Sequence, residues 1–326
     1  MTPIRWGILG TGTIAQTFAR DLVHADEAVL HAVGSRTDGS ARAFAEAHGA
    51  TSAHGSYEAL VADPEVEAIY VATPHTLHLG NASAALRAGK AVLCEKPLTP
   101  TPEESRALIA VAEETGSYLL EAMWTHFLPA VQTALSWVRE GRIGAVQRLH
   151  ADFGYPTPFD PGSRLFDPTL AGGALLDLGV YPVALAWLFL EQHPEEIQVT
   201  ARYAPTGVDD DVAMIFSSPD AVATLGCSFR CRMGNAAVIT GDDGWIRIPD
   251  FFRAHECSLY RMDERVDHFD DGRESAGYAF EAMAVGDDLR AGRQQSDVVP
   301  WASTLAVQDQ MARVLAAMER PGASTS

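Results

Sequence analysis

Short apolar runs alternate with longer mixed segments through the first 120 residues. The runs at 4–9, 29–35, 68–72, 91–94 and 118–120 are compact and mostly apolar, the pattern of strands buried on both faces. The segments between them, 14–25, 40–48, 56–62, 76–88 and 103–115, are long enough for helices. This alternation predicts an α/β domain on a parallel, doubly wound sheet. The texture changes after about residue 121. A helix over 129–139 precedes a strand over 146–153, a loop with many prolines over 154–171 and a helix over 173–190. Runs of β type at 197–203, 212–217, 221–229 and 236–248 predict an antiparallel sheet, and 304–318 reads as a closing helix. The expected division is a first domain at 1–122, a second α+β domain at 123–320 and a flexible polar tail at 321–326. At 326 residues the chain exceeds what one hydrophobic core usually serves.

Charge narrows the partners. There are 24 Lys+Arg against 43 Asp+Glu, a net charge of -19. Such an excess repels phosphate backbones and anionic lipid surfaces, so neither nucleic acid nor membrane is an expected partner. No uninterrupted apolar stretch reaches the roughly 18 residues of a membrane helix. The start lacks the basic segment and apolar core of a signal peptide. Cys94, Cys227, Cys231 and Cys257 follow no zinc spacing and are too few for a disulfide scaffold. No metal is expected, and a reducing, cytoplasmic setting is. The basic residues are lopsided: Lys90 and Lys96 are the two lysines, which leaves 22 arginines.

Chemistry first surfaces after the first strand. Gly10-Thr11-Gly12-Thr13-Ile14-Ala15 has the form G-x-G-x-x-A, placed between a strand and a helix at the start of the alternating pattern. Gly10 allows a tight turn, Gly12 lets backbone approach a pyrophosphate, and Ala15 lets the helix pack close to the strand. The helix start at Thr13 and Ile14 offers free N–H groups and a positive dipole end to phosphates. The second strand ends Gly34-Ser35-Arg36, where an NAD-binding chain usually carries an acid for the ribose hydroxyls. A hydroxyl and a guanidinium suit a 2′-phosphate, so NADP is favoured; nearby Asp38 keeps NAD open. Arg42 is either a second phosphate contact or an exposed helix charge.

Glu95-Lys96-Pro97 follows the fifth strand, at the strand ends where such sheets bind ligands. Lysine shifts its pKa and gives up a proton when partly desolvated, which arginine does not. In a chain that otherwise carries its positive charge on arginine, Lys96 is a candidate catalytic group, though on position alone a surface lysine reads the same way. The second candidate constellation is Gly172-Gly173, then Asp177 and Tyr181, four apart and so on one helical face among Leu175, Leu176, Leu178 and Val180. An ammonium near a tyrosine favours its phenolate, and such a pair moves a hydroxyl proton while hydride moves to a nicotinamide. Without Lys96, a core tyrosine with a structural aspartate would be the preferred reading.

These residues in this order, together with Ala72-Thr73-Pro74 and His78, resemble the glucose-fructose oxidoreductase / inositol dehydrogenase (Gfo/Idh/MocA) family. Glu121-Ala122-Met123-Trp124 and Phe127-Leu128-Pro129 are similar to its dimeric dihydrodiol dehydrogenase and NADP-dependent aldose 1-dehydrogenase branch. The resemblance spans nearly the whole chain. It implies a Rossmann domain followed by an open-faced, mainly antiparallel sheet domain through which subunits form a homo-dimer or homo-tetramer. It implies an NADP-dependent oxidoreductase acting on a hydroxyl of a sugar or cyclic diol. Tyr181 would be the acid/base, Lys96 would tune it, and Asp177 would orient substrate hydroxyls or Lys96. Thr73, His78, Glu95 and Lys96 would meet the cofactor, and Trp124 and Arg164 would line the substrate pocket. His126 stands where the branch often has arginine. Alternatives are a reductase of a keto-sugar, simple or nucleotide-linked, the latter served by a patch of Arg148, Arg164 and Arg202, and a non-catalytic NADP sensor.

Overall fold

The computed structural model describes residues 2–318; the expected tail at 321–326 lies outside them. The first unit holds the chain up to Phe127 and takes back Arg273–Leu305, and the second holds Leu128–Gly272 and the chain from Ala306. The first sheet has strands β1 (Ile4–Leu9), β2 (Ala28–Gly34), β3 (Ser52–His54), β4 (Ala68–Val71), β5 (Ala91–Glu95) and β6 (Leu119–Ala122). Their order is β3-β2-β1-β4-β5-β6, every pairing parallel. The order reverses between β1 and β4, which opens a crevice at their carboxyl ends. β4, β5 and β6 are buried along their whole length, their mostly apolar runs carrying Glu95 and Glu121 into the interior with them.

Helices α1 (Thr13–Asp21), α2 (Asp38–His48), α3 (Tyr57–Val61), α4 (His78–Arg87) and α5 (Pro102–Thr115) connect these strands. Thr37, Ser56 and Thr101 cap three of them by accepting hydrogen bonds from backbone N–H groups inside the first turn. α1 has no such side-chain cap: Gly12 stands at its N-cap, leaving its first N–H groups without a side-chain oxygen. β3 was not anticipated, because three half-buried residues carry too little periodicity to register.

The second unit opens with α6 (Pro129–Arg139) and β7 (Val146–Gly154). After a long loop, a π-helical turn at Leu175–Gly179 runs directly into α7 (Val180–Leu190). Strands β8 (Glu196–Tyr203), β9 (Asp209–Ser217), β10 (Val222–Ser228), β11 (Ala237–Gly241), β12 (Trp245–Ile248), β13 (Glu256–Arg261) and β14 (Glu264–Asp270) complete a sheet of order β14-β13-β12-β11-β7-β10-β9-β8. It is antiparallel except for β7 beside β10, which run parallel. The expected single run at 236–248 is a hairpin, β11 and β12, closed where the Gly241 N–H meets the Gly244 carbonyl at 2.9 Å. β14 escaped the sequence because it is mostly exposed and charged.

The chain then returns to the first unit as α8 (Tyr278–Arg290) and the start of α9 (Trp301–Ala317). This return departs from the expected domain at 123–320, and its cause is physical. β6 is an edge strand, and an uncovered edge leaves backbone groups unpaired. Leu119 donates to the Gln294 carbonyl at 3.0 Å and Trp301 Nε1 donates to the Leu119 carbonyl at 2.9 Å. Asp21, buried at the end of α1, accepts from Ala276, Gly277 and Ala279 N–H at 2.8, 2.8 and 3.1 Å and so caps α8.

Among the described residues one helical segment, Pro168–Leu190, is long and apolar enough to cross a membrane, and 72 % of its most apolar stretch is buried inside the protein. The expectation drawn from uninterrupted apolar runs passed over it because Asp177 lies within.

Candidate functional site

The crevice of the first sheet is a groove of about 550 Å³ lined by Gly10, Gly12, Ser35, Arg36 and Thr73 among others. Gly10 has φ +111, and a Cβ there would sit 2.8 Å from the Ala72 carbonyl oxygen, so only glycine lets β1 and β4 end this close. Gly12 differs. Its φ is -72, and a Cβ would meet nothing within 4 Å. Glycine is not required there by the protein itself; it leaves open the approach to the uncapped start of α1. Together these features fit the pyrophosphate of a dinucleotide.

Thr37 and Ser40 line the groove beside Ser35 and Arg36, hydroxyls that the sequence reading missed. The signal was there, because a Thr at an N-cap followed by Ser three residues on marks the helix start. Asp38 and Arg42 pair with each other at 2.8 Å and are not among the groove-lining residues. The side of the groove that would hold a ribose 2′ substituent thus offers hydroxyls and a guanidinium and no carboxylate, which fits NADP.

His78 is buried, at 0 % exposure. Its Nε2 faces the Thr73 carbonyl at 2.8 Å, and its Nδ1 faces the carbonyls of Pro97 and Leu98 at 3.1 and 3.2 Å. Burial lowers its pKa, the three carbonyls oppose that, and the positive charge of Lys96 adds to the lowering. His78 is neither an exposed helix residue nor part of the groove lining; it fastens the loop after β4 to the loop after β5.

That second loop carries Lys96. Its N–H donates to Glu95 Oε2 at 3.1 Å, and Glu95 Oε1 accepts a very short bond from the buried hydroxyl of Tyr70. Burial and the adjacent Glu95 charge push the Tyr70 phenol well above its ordinary value. Glu281 of α8 lies fully buried, its carboxyl oxygens without a hydrogen-bond partner; burial, then the charges of Glu95 and Asp21, raise its pKa well above the ordinary range. Lys96 therefore follows a buried acid, Glu95, that also accepts a phenol's hydrogen bond. Trp124, 4 % exposed, stacks on Tyr278 of α8 at 4.2 Å and 12°. His126, 3 % exposed, lies in the same short turn, Trp124–Phe127.

The second unit brings Asp177 and Arg164 together and carries Tyr181 in the helix that follows. Gly173, at φ +130, has no room for a side chain because a Cβ would strike Asp209 Oδ1. Asp209 Oδ2 accepts the Leu175 N–H at 2.6 Å and so holds the first turn. Gly179 lets Cys227 of β10 approach: a Cβ would lie 3.0 Å from its Sγ. The turn between these glycines is π-helical, a distortion common at functional sites. Asp177, inside this turn, accepts from Arg164 at 3.0 Å, while Tyr181, 7 % exposed, meets the ring of Phe153 edge-on at 5.3 Å. Phe153 and Phe252 stack at 4.2 Å and complete an aromatic wall that the sequence did not disclose, since its members lie about a hundred residues apart. Burial pushes the Asp209 carboxyl up to about 6 against the hydrogen bonds that lower it.

Of the three arginines considered for a nucleotide-sugar, Arg164 is held by Asp177 and Arg202 lies 3.7 Å from Asp211. A cavity of about 900 Å³ takes in Arg202 without the other two. The expected patch is not assembled.

Residues 4–122 match the model of an oxidoreductase family with an NAD-binding Rossmann fold, and residues 131–247 match the GFO/IDH/MocA C-terminal domain. A trans-1,2-dihydrobenzene-1,2-diol dehydrogenase of Macaca fuscata fuscata is 36 % identical over 310 residues, covering 91 % of each chain. The D-xylose 1-dehydrogenase (NADP(+)) of Hypocrea jecorina is 32 % identical, covering 96 % of this chain and 91 % of its own. Among solved structures, a 3-ketoreductase of Actinomadura kijaniata in complex with NADP and TDP-benzene superposes with a TM-score of 0.86 at 27 % identity, covering 98 % of both chains.

Proposed function

The chain belongs to the Gfo/Idh/MocA oxidoreductase family, and from that premise we propose that it is an NADP-dependent dehydrogenase of sugars or cyclic diols. The observation that carries the cofactor is the groove in which Gly12 leaves space at an uncapped helix start while Ser35 and Arg36 line the wall, a hydroxyl and a guanidinium that suit a 2′-phosphate. The dihydrodiol and xylose dehydrogenases among its relatives support the substrate class.

Bound NADP supplies a nicotinamide ring that accepts or returns a hydride. In the oxidising direction the hydroxyl carbon loses hydride and its oxygen loses a proton, leaving a carbonyl. Tyr181 is the group assigned to that proton, and Lys96 stabilises the phenolate that results. Asp177, fixed by Arg164, orients neighbouring substrate hydroxyls. The ring of Tyr181 is buried against Phe153, which fixes its orientation. The unassembled arginine patch favours a simple sugar or diol over a nucleotide-linked one.

We place the oligomer contact on the helix-free face of the second sheet. Val199, Ile215, Thr224 and Met233 line a shallow groove of about 540 Å³ there, with Ile215 40 % exposed. Four cysteines without disulfide partners support a reducing, cytoplasmic setting.

The test is absorbance of NADPH formation from NADP+ with D-xylose and with trans-1,2-cyclohexanediol. Turnover is expected with at least one, and Lys96→Met and Tyr181→Phe should each lower kcat by about a hundredfold or more, with NADP+ binding retained. Thermal stabilisation by NADP+ with no turnover would replace the enzyme by a sensor.

A further inference from the structure

The loop that carries Lys96 rests on a buried acid to which the reaction above gives no role. Glu121 lies in β6 beside β5 and is 4 % exposed. Its Oε1 accepts the Leu98 N–H at 2.8 Å, and its Oε2 accepts the Thr304 hydroxyl of α9 at 2.8 Å. Lys96, Pro97 and Leu98 are thus gripped by three buried titratable side chains from three elements: Glu95 of β5, His78 of α4 and Glu121 of β6.

Burying a carboxyl is costly, and an apolar side chain on a buried strand would be the cheaper choice for stability alone. The cost shows in the acid itself. Burial raises its pKa, the Thr304 and Leu98 donors oppose this, Glu95 adds to it, and the charge of Lys96 pulls it back down. Glu121 and Lys96 therefore interact electrostatically as well as through the loop backbone. A covering strand or a water would satisfy the Leu98 N–H equally well, but neither would also fix it to Thr304.

We propose that Glu121 is a positioning residue for Lys96: it anchors the Lys96–Leu98 loop to α9 and holds the ammonium where the reaction needs it. This rests on the role given to Lys96 above. The two lysines of the chain provide a selective readout. Lys90 donates to the carbonyls of Asp63 and Val66 at 2.6 and 2.7 Å and serves as internal control.

In the full chain labelled with 13C-lysine and saturated with NADP+, Glu121→Gln should shift the Lys96 side-chain signal and leave that of Lys90 in place. Its kcat with D-xylose should fall by about tenfold while substrate KM and NADP+ affinity stay within about twofold, because positioning acts on the reacting geometry. Thr304→Val should produce the same pattern more weakly, and Thr304→Ser should restore it. The proposal is overturned by a folded Glu121→Gln protein whose Lys96 signal and kcat are unchanged. It is equally overturned if both lysine signals move together with a loss of melting temperature. Should Glu121→Gln not fold, the Thr304 pair decides by the same criteria. If the wild-type chain turns over no substrate, the proposed function fails while the lysine signals still decide the positioning role.

Discussion

The loop after β5 and the turn before α7 carry residues proposed for the chemistry, and they are built by opposite means. The Lys96 loop is fixed by added side chains: Glu95, His78 and Glu121 each hold one of its peptide units. The Asp177 turn is fixed by missing ones: Gly173 and Gly179 admit Asp209 and Cys227 to distances no side chain would allow. A site held by hydrogen bonds tolerates a change of one partner and loses precision. A site held by close packing of backbone fails sterically when a single carbon is added.

The comparison breaks most visibly at the glycines. Gly173→Ala places a methyl on Asp209 at a φ that alanine avoids, and urea unfolding should show a loss of about 3 kcal/mol or more. Gly12→Ala adds the same methyl into open space and should cost under about 0.5 kcal/mol, yet weaken NADP+ by about tenfold. Equal stability losses at the two positions would remove the distinction.

Asp209 provides a pH test of the same turn. Its folded pKa, about 6, exceeds the ordinary 3.8, so the folded state binds the proton more tightly than the unfolded chain. Its contribution to stability is then full below pH 3.8 and lost as pH rises through about 6. Relative to Asp209→Asn, the wild-type chain should lose about 3 kcal/mol between roughly pH 4 and 6. Parallel stability curves for the two proteins would sink the assignment.

Arg36→Ala should raise the NADP+ Kd by about ten- to a hundredfold and leave NAD+ unchanged, since a charged hydrogen bond to a phosphate is worth about 1.5–3 kcal/mol. The smallest effect is expected at Arg164, whose side chain is 46 % exposed in its pair with Asp177. Arg164→Met should change unfolding free energy by less than about 1 kcal/mol, with its main effect on substrate KM.

How far the sequence disclosed each region follows from how local its determinants are. The phosphate loop was legible because Gly10, Gly12 and Ala15 act within one strand–turn–helix unit. The helical segment that carries Asp177 and Tyr181 was legible because its apolar run needs only local pattern. The π-helical turn was not, since it depends on Asp209 and Cys227 from strands far along the chain. Nor was the burial of His78, whose partners Pro97 and Leu98 come from another loop. The helix α8 went unread because Glu281, Gly286, Asp287 and Asp288 interrupt its apolar stripe. Its Glu281 is nevertheless fully buried, a burial that only the packed first unit imposes.

By itself, then, the sequence determined the strand–helix alternation and the dinucleotide groove, because each follows from local pattern and residue chemistry; it also singled out Lys96 and Tyr181, whose roles stay proposals. The tertiary structure alone decided that Arg273–Leu305 returns to cover β6, that Glu121 reaches Leu98 and Thr304, and that Asp177 meets Arg164. Those arrangements satisfy buried polar groups and open strand edges across long stretches of chain, a requirement that exists only once the chain is packed.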